Sequence, residues 1–290
     1  MNRKGASSSM DHQTIQAPQI NGFEQFLRAE ERVSGTIQKY LRDIRGFAAW
    51  LEECPLNKEA CAAWKEHLQT EKLRPETVNS KLSALNKFLQ FIGREDCCVK
   101  YLRIQHRLFR RTDRELTRAD YTRLLETASR MGRTRLALLM ETICATGIRV
   151  SEVKYLTVEA VEIGRAEISL KGKIRTILIP GKLCRKLRKY ARTQKIVSGE
   201  IFLTRNGKGL SRRQIWAEMK SLCAKAGVEA TKVFPHNLRH LFAQAFYRVC
   251  RDVVKLADVL GHSSIETTRI YLISTGEEHV RQLDRLGLIS

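Results

Sequence analysis

Ala166-Glu167-Ile168-Ser169-Leu170-Lys171-Gly172-Lys173-Ile174-Arg175-Thr176-Ile177-Leu178-Ile179 is where the pattern of this 290-residue chain changes. Residues 166–170 and 176–179 are short runs that favour strand, and Lys171-Gly172-Lys173 separates them as a turn. Nearly all the remaining pattern is helical. The expected fold class is therefore mainly α: an all-helical N-terminal domain, then a mixed, mostly helical domain holding one small β-hairpin or sheet.

Working upstream, residues 136–144 are almost all apolar and predict a buried helix. Ala145-Thr146-Gly147 reads as a turn, and a new helix is expected from Arg149 to Leu156. Thr117-Arg118-Ala119-Asp120 resembles a capping box for a helix with Tyr121, Leu124, Leu125 and Ala128. Downstream the expectations are a helix over 183–193, a further strand over 200–204 turning at Asn206-Gly207, and a helix capped by Ser211 with Ile215, Met219, Leu222 and Ala226 inward. A helix after Pro235, one over 252–260 ended by Gly261, a short one carrying Tyr271 and a polar one over 277–286 complete the domain.

At the other end, residues 1–20 lack periodicity and read as a flexible tail. Ser34 opens a helix with Ile37, Leu41, Ile44, Ala48 and Leu51 on one face. A second helix spans 58–70, and Pro75 opens a third with Val78, Leu82, Leu85, Leu89 and Ile92 aligned before Gly93. The expected organisation is a helical domain over 21–99, a basic linker over 100–115 and a second domain over 116–290.

Charge narrows the partner. The chain has 52 Lys and Arg against 31 Asp and Glu, a net +21. That surplus suits a polyanion, with double-stranded DNA ahead of an anionic membrane surface or a merely basic soluble protein. Lys39, Arg42, Arg45, Lys81 and Lys87 on the outer helical faces, and Arg107, Arg110 and Arg111 in the linker, are the candidate DNA contacts. No apolar run approaches membrane length and the first residues carry no signal core, so a cytoplasmic, nucleoid-associated protein with no membrane partner is expected. The eight cysteines include no Cys-x-x-Cys pair and read as free thiols.

The chemistry-bearing residues lie in the second domain. His236 and Arg239 are three apart at a helix start and share a face. The guanidinium fork matches phosphate oxygens. His236 and His240 have a zinc-like spacing, but Asn237 stands where the His-Glu-x-x-His pattern needs Glu, so neither metal nor cofactor is expected. Arg149 follows a turn at a helix start, a favourable anion position, with Glu152 able to orient it. Lys171 and Lys173 at the hairpin tip can protonate a leaving oxygen. His262 and Tyr271 close the set. Taken singly, each has an ordinary structural reading: a cap, a surface pair, a solvated loop, a packed ring. Together, cations around a phenol are the parts for attack on a phosphodiester.

At these residues the chain resembles the tyrosine recombinases, or phage-type integrases, of the two-domain Xer-like or integron-like kind. The matching segments run from Ala145 to Glu152, then Lys171-Gly172-Lys173, then His236-Asn237-Leu238-Arg239-His240, then Leu260-Gly261-His262-Ser263-Ser264, then Tyr271. The resemblance implies that the helical domain is a SAM-like core-DNA-binding module and that the second domain is catalytic. Tyr271 is then the nucleophile that forms a 3′-phosphotyrosyl bond and frees a 5′-hydroxyl. Arg149 and Arg239 bind the non-bridging oxygens. Lys171 is the general acid with Lys173 as alternate, His236 the general base or its positioner, and His262 a second phosphate donor. Glu152 is a support, and His240 stands back from the phosphate. It implies a homo-tetramer on two core sites, accessory DNA-bending or directionality factors as possible partners, and integration, excision, inversion or resolution as the outcome. A DNA-binding regulator derived from a recombinase, or a type IB topoisomerase-like relaxer, are the alternatives.

Overall fold

The computed structural model describes residues 15–52, 54–104, 114–170, 173–262, 264–271, 280–281 and 283–286. The chain divides into two units, Met1–His106 and Arg107–Ser290.

The first unit packs four helices: α1 (Ala17–Ala29), α2 (Ser34–Leu51), α3 (Lys58–Thr70) and α4 (Pro75–Phe91). The predicted apolar stripes are the buried ones: Ile37, Leu41, Ile44 and Leu51 on α2 meet Val78, Leu82, Leu85 and Leu89 on α4 in one core. Phe23 of α1 meets Phe88 edge-on, with centroids 5.3 Å apart. The chain is already helical at Ala17, four residues before the expected start at Asn21. Pro18 lies in the first turn of α1, where its missing N–H costs nothing, and Phe23 and Leu27 are its buried positions. Ser34 proves to be the first helical residue and Val33 the cap, without a side-chain bond. After α4 the chain is pinned rather than free: the amides of Asn86 and Asn79 each bond the backbone on both sides, at Val99 and Leu102.

The second unit contains α5 (Arg118–Arg130), α6 (Thr134–Thr146), α7 (Val158–Ile163), the hairpin β1 (Arg165–Leu170) and β2 (Lys173–Leu178), α8 (Gly181–Thr193), α9 (Arg212–Lys220), α10 (Cys223–Ala226), α11 (Pro235–Cys250), α12 (Val253–Leu260) and α13 (Ile265–Arg269). The strands pair antiparallel, with Arg175 opposite Ile168 and Ile177 opposite Ala166. The Thr117–Asp120 capping box forms in full. The apolar run of α6 is buried as expected, with Leu136, Leu139, Met140 and Ile143 at its centre.

Three expectations are corrected. Residues 200–204 form no strand; only two isolated bridges, Thr157 to Glu200 and Leu203 to Gly209, occur there. The tight turn that returns Thr204 N to Lys208 O at 2.7 Å leaves too little extended chain for a ladder. Residues 150–155 wind as a 3-10 helix. The helix expected to run from Ser211 to Ala226 is broken into α9 and α10 around Ser221 and Leu222. Of the expected last helix, residues 280, 281, 283 and 284 are helical and the remainder lies outside the described residues.

Candidate active site

Gly147 is where the site begins. It ends α6 in the left-handed conformation, φ +65°. A side chain there would drive into the Phe242 ring, its Cβ within 2.6 Å of Cε1. The carbonyl of Gly147 accepts a hydrogen bond from Arg239 Nη1. One bare residue thus lets α11 approach closely and anchors its arginine.

Pro235 starts α11 where a missing donor is harmless, and Asn237 fastens that start by donating to Arg114 O and Lys232 O, both at 2.7 Å. His236, Arg239 and His240 then project from one side. Arg239 is 2% exposed. Its Nη2 donates to Leu260 O and to His262 Nε2, both at 2.8 Å. Because a guanidinium only donates, His262 Nε2 accepts, which leaves the ring proton on Nδ1 facing Thr268 Oγ1 at 2.8 Å.

Arg149 is stretched between two acceptors. Nη1 donates to Glu152 Oε1 at 2.8 Å and Nη2 to Gly261 O at 3.2 Å. Glu152 is 2% exposed and also accepts from the Arg149 backbone N–H at 2.7 Å and from Arg175 Nη2 at 3.2 Å. The predicted orienting role for Glu152 therefore has its geometry, plus a second arginine that the sequence did not single out.

Tyr271 is 2% exposed and lies among rings. Its centroid is 4.8 Å from His240, edge-on, and 5.8 Å from both His236 and His262, the latter nearly parallel. Apolar support comes from Ala243, Leu256 and Leu260. Thr268 O accepts its backbone N–H at 3.0 Å. His240, expected to stand apart, touches the tyrosine directly while its Nδ1 meets Gln244 Nε2 at 3.0 Å.

The electrostatics follow from burial among cations. Burial, reinforced by Arg239, Arg149 and Arg175, lowers His262 to about 4. Burial with Arg239 and Arg149 likewise lowers His236. Both rings are neutral at pH 7, so each has a lone pair to offer. Burial and the nearby Arg149 lower Arg239 too, while the Tyr271 hydroxyl pulls it back up.

The structure thus brings together Arg149, Glu152, His236, Arg239, His240, His262 and Tyr271. Lys171 lies outside the described residues, as does the side chain of Lys173, although the Lys173 backbone pairs with Leu170 at the head of the hairpin. Among the DNA-contact candidates, Arg42 and Arg45 are exposed on α2, Arg42 with one nitrogen 3.5 Å from the carboxylate of the buried Asp43. Lys39 bonds Ser80 Oγ, Lys81 lies 3.7 Å from the buried Asp43, and Lys87 pairs with Glu30 at 2.6 Å. These three are partly committed within their own unit. Arg107, Arg110 and Arg111 lie outside the described residues. Among the described residues no three His, Cys, Asp or Glu side chains converge as a metal site, and the described cysteines are free thiols.

The phage integrase family model matches residues 114–278, which is more than half of the chain. The chain belongs to the phage integrase family. A second model, the N-terminal SAM-like domain of phage integrases, matches residues 20–96. Tyrosine recombinase XerA of Thermococcus kodakarensis is 30% identical over 270 residues, covering 91% of this chain and 93% of that protein. Tyrosine recombinase XerD of Staphylococcus aureus is 28% identical over 273 residues, covering 87% and 92%. This integrase-family chain is a tyrosine recombinase, an enzyme of DNA strand breakage and rejoining. Its fold matches XerH bound to difH substrate (TM-score 0.66, 20% identity, 93% of this chain and 84% of that one). It also matches a lambda integrase tetramer bound to a Holliday junction (TM-score 0.69, 18% identity, 88% and 76%). No described helix is long and apolar enough to cross a membrane.

Proposed function

We propose that the recombinase cuts through Tyr271 and that the residues gathered around it carry the roles the family pattern implies. The observation that carries this reading is the placement of the Tyr271 ring against His236, His240 and His262 within reach of Arg239.

The tyrosine oxygen attacks the scissile phosphorus, a Tyr–O–P bond forms, and the bond to the 5′-oxygen breaks. His236, neutral through burial, takes the phenol proton. The hairpin lysine, Lys171 with Lys173 as alternate, supplies a proton to the departing 5′-oxygen. Arg149 and Arg239 bind the non-bridging oxygens, whose charge grows in the transition state. Fixed donors in a water-poor site are effective there, and losing one costs on the order of 3 kcal/mol, or about 10²–10³ in rate.

His262 requires one adjustment. Its Nε2 accepts from Arg239, so acting as a phosphate donor needs the proton on Nε2. Thr268 supports either tautomer, because a hydroxyl can donate to Nδ1 as readily as accept from it. Reversal by a 5′-hydroxyl reseals the strand without an external energy source, and a hydroxyl from a second duplex exchanges strands. We propose that this proceeds in a homo-tetramer on two core sites. Arg42 and Arg45 then serve as backbone contacts that position the duplex and carry little sequence information.

The test is trapping on a nicked core-site duplex, whose short cleaved fragment diffuses away. Wild type should give a covalent protein–DNA band on a denaturing gel, and Tyr271→Phe should give none while still binding. A band from Tyr271→Phe would assign the nucleophile elsewhere.

A further inference from the structure

Among the described residues, Arg175 is the one largely buried cation of the site that none of these roles uses. It occupies the inward side of β2, opposite Ile168, where its neighbours Ile177 and Ile179 are apolar core. Its side chain is 11% exposed. Nη1 donates to Leu260 O, the carbonyl two residues before His262, and Nη2 donates to Glu152 Oε2. Nε is buried with no partner.

Stability does not explain this residue. Leu260 O already accepts from Arg239, and Glu152 is already satisfied by Arg149. A buried guanidinium with an unpartnered nitrogen is costly compared with an apolar side chain at the same strand position. What Arg175 adds is a fixed relation between three pieces of chain: the hairpin, the Arg149–Glu152 pair, and the end of α12 that delivers His262. The packing there is close. Gly261 turns the chain at φ +63°, and a Cβ on it would fall within 2.6 Å of Arg175 Nη1. Arg149 donates to the next carbonyl, Gly261 O. The negative end of α12 is therefore held by three guanidiniums, two of them being the proposed phosphate ligands.

Resting on the Tyr271 reading, we infer that Arg175 is a positioning residue: through Glu152 and the Leu260 carbonyl it sets Arg149 and the His262 turn for the charge of the transferred phosphate. It also changes the charge of the site. Three guanidiniums against the single carboxylate of Glu152 leave two positive charges in surplus. A phosphodiester carries one negative charge, and a pentacoordinate phosphorus with two anionic non-bridging oxygens carries two, so the surplus favours the transition state over the ground state.

The experiment is single-turnover cleavage of a nicked core-site duplex. It compares wild type, Arg149→Ala, Arg175→Met, Arg175→Lys and the Arg149→Ala/Arg175→Met double variant. Each is run with an ordinary scissile phosphate and with a methylphosphonate, in which a methyl group replaces one non-bridging oxygen and removes the charge. Displacing a phosphate ligand by about 1 Å can cost ~10²-fold, so Arg175→Met should cleave the ordinary substrate roughly 10²-fold more slowly at unchanged DNA affinity. On the methylphosphonate the deficit should shrink below about 5-fold, as for Arg149→Ala, because there is less charge to stabilise. Lysine reaches one acceptor but not both and should restore part of the rate. The double variant should fall well short of the product of the two single deficits, since the part of the Arg175 effect that runs through Glu152 is already lost with Arg149 and only the His262 turn remains to be disturbed. Equal deficits on the two substrates, or deficits that multiply in the double variant, would overturn the inference and leave Arg175 a merely structural residue. Absence of a Tyr271 adduct in wild type would overturn the proposed function itself, a distinguishable result.

Discussion

Replacing Gly147 with alanine adds one methyl group at the junction of α6 and α11. Two costs follow from its geometry. The residue sits at φ +65°, where an L side chain is disfavoured by roughly 1–2 kcal/mol. The new Cβ would also overlap the Phe242 ring and come within 3.1 Å of Leu260 Cδ2. Forcing an extra methyl into packing this close costs about 1–3 kcal/mol. Together they predict a loss of roughly 2–5 kcal/mol from a stability of order 5–15, and for a unit of this size a fall in Tm of roughly 4–20 °C. Activity should fall further than stability at permissive temperature, because moving the Gly147 carbonyl moves Arg239. The assay is urea unfolding followed by circular dichroism, with nicked-substrate cleavage measured on the folded fraction. Phe242→Leu in the same chain should return part of the loss, namely the steric portion. A Gly147→Ala protein whose midpoint matches wild type, or whose loss Phe242→Leu leaves untouched, would refute the packing argument.

Thr268→Val leaves the His262 Nδ1 proton buried without an acceptor, a penalty of about 1–3 kcal/mol, and should slow cleavage at unchanged DNA affinity; Thr268→Ser should restore the rate, and a fast valine variant would show that the hydroxyl does not hold the ring. Because His262 and His236 titrate below the ordinary histidine value when folded, the unfolded chain binds more protons as the pH falls. Stability is then full above about pH 6.5 and declines toward pH 4, so the urea midpoint should drop between about pH 8 and 5; His262→Gln should flatten part of the slope, and a wild-type midpoint indifferent to pH would contradict the burial argument. Arg42→Ala and Arg45→Ala should each reduce the slope of log K against log salt by about 0.9; an unchanged slope would remove that residue from the DNA contacts.

Much of this was legible from residues alone because the periodic signals were strong. The stripes on α2 and α4 are their buried faces, and the described motif residues Arg149, Glu152, His236, Arg239, His262 and Tyr271 lie together although up to 122 positions separate them. What escaped did so for identifiable reasons. α1 is built from Ala17-Pro18-Gln19-Ile20-Asn21, a polar opening whose helix is held by Phe23 and Leu27 packing rather than by propensity. Residues 150–155 carry a helical pattern, but Glu152 must point back at Arg149, and the tighter winding accommodates that bond. Arg175 had a signal that went unused: a charged residue in alternation with Ile177 and Ile179, two positions that strand patterning marks as inward. Thr268 had none, since a buried threonine three residues before a tyrosine looks like any other until the histidine across from it is placed.

The burial of Tyr271 has a consequence for the lifetime of broken DNA. On the proposed Tyr271 chemistry, the ester would form on a side chain that is 2% exposed and so shielded from bulk water, which is present at enormous excess over any competing nucleophile. Hydrolysis would release the tyrosine and leave a permanent break. On the same proposal, three imidazole rings packed around the phenol favour a hydroxyl held in place at the end of a base-paired strand over free water. The rings that hide the phenol before cleavage would then protect the joint after it: the ester persists until an aligned strand end returns, and the DNA is spared a nick.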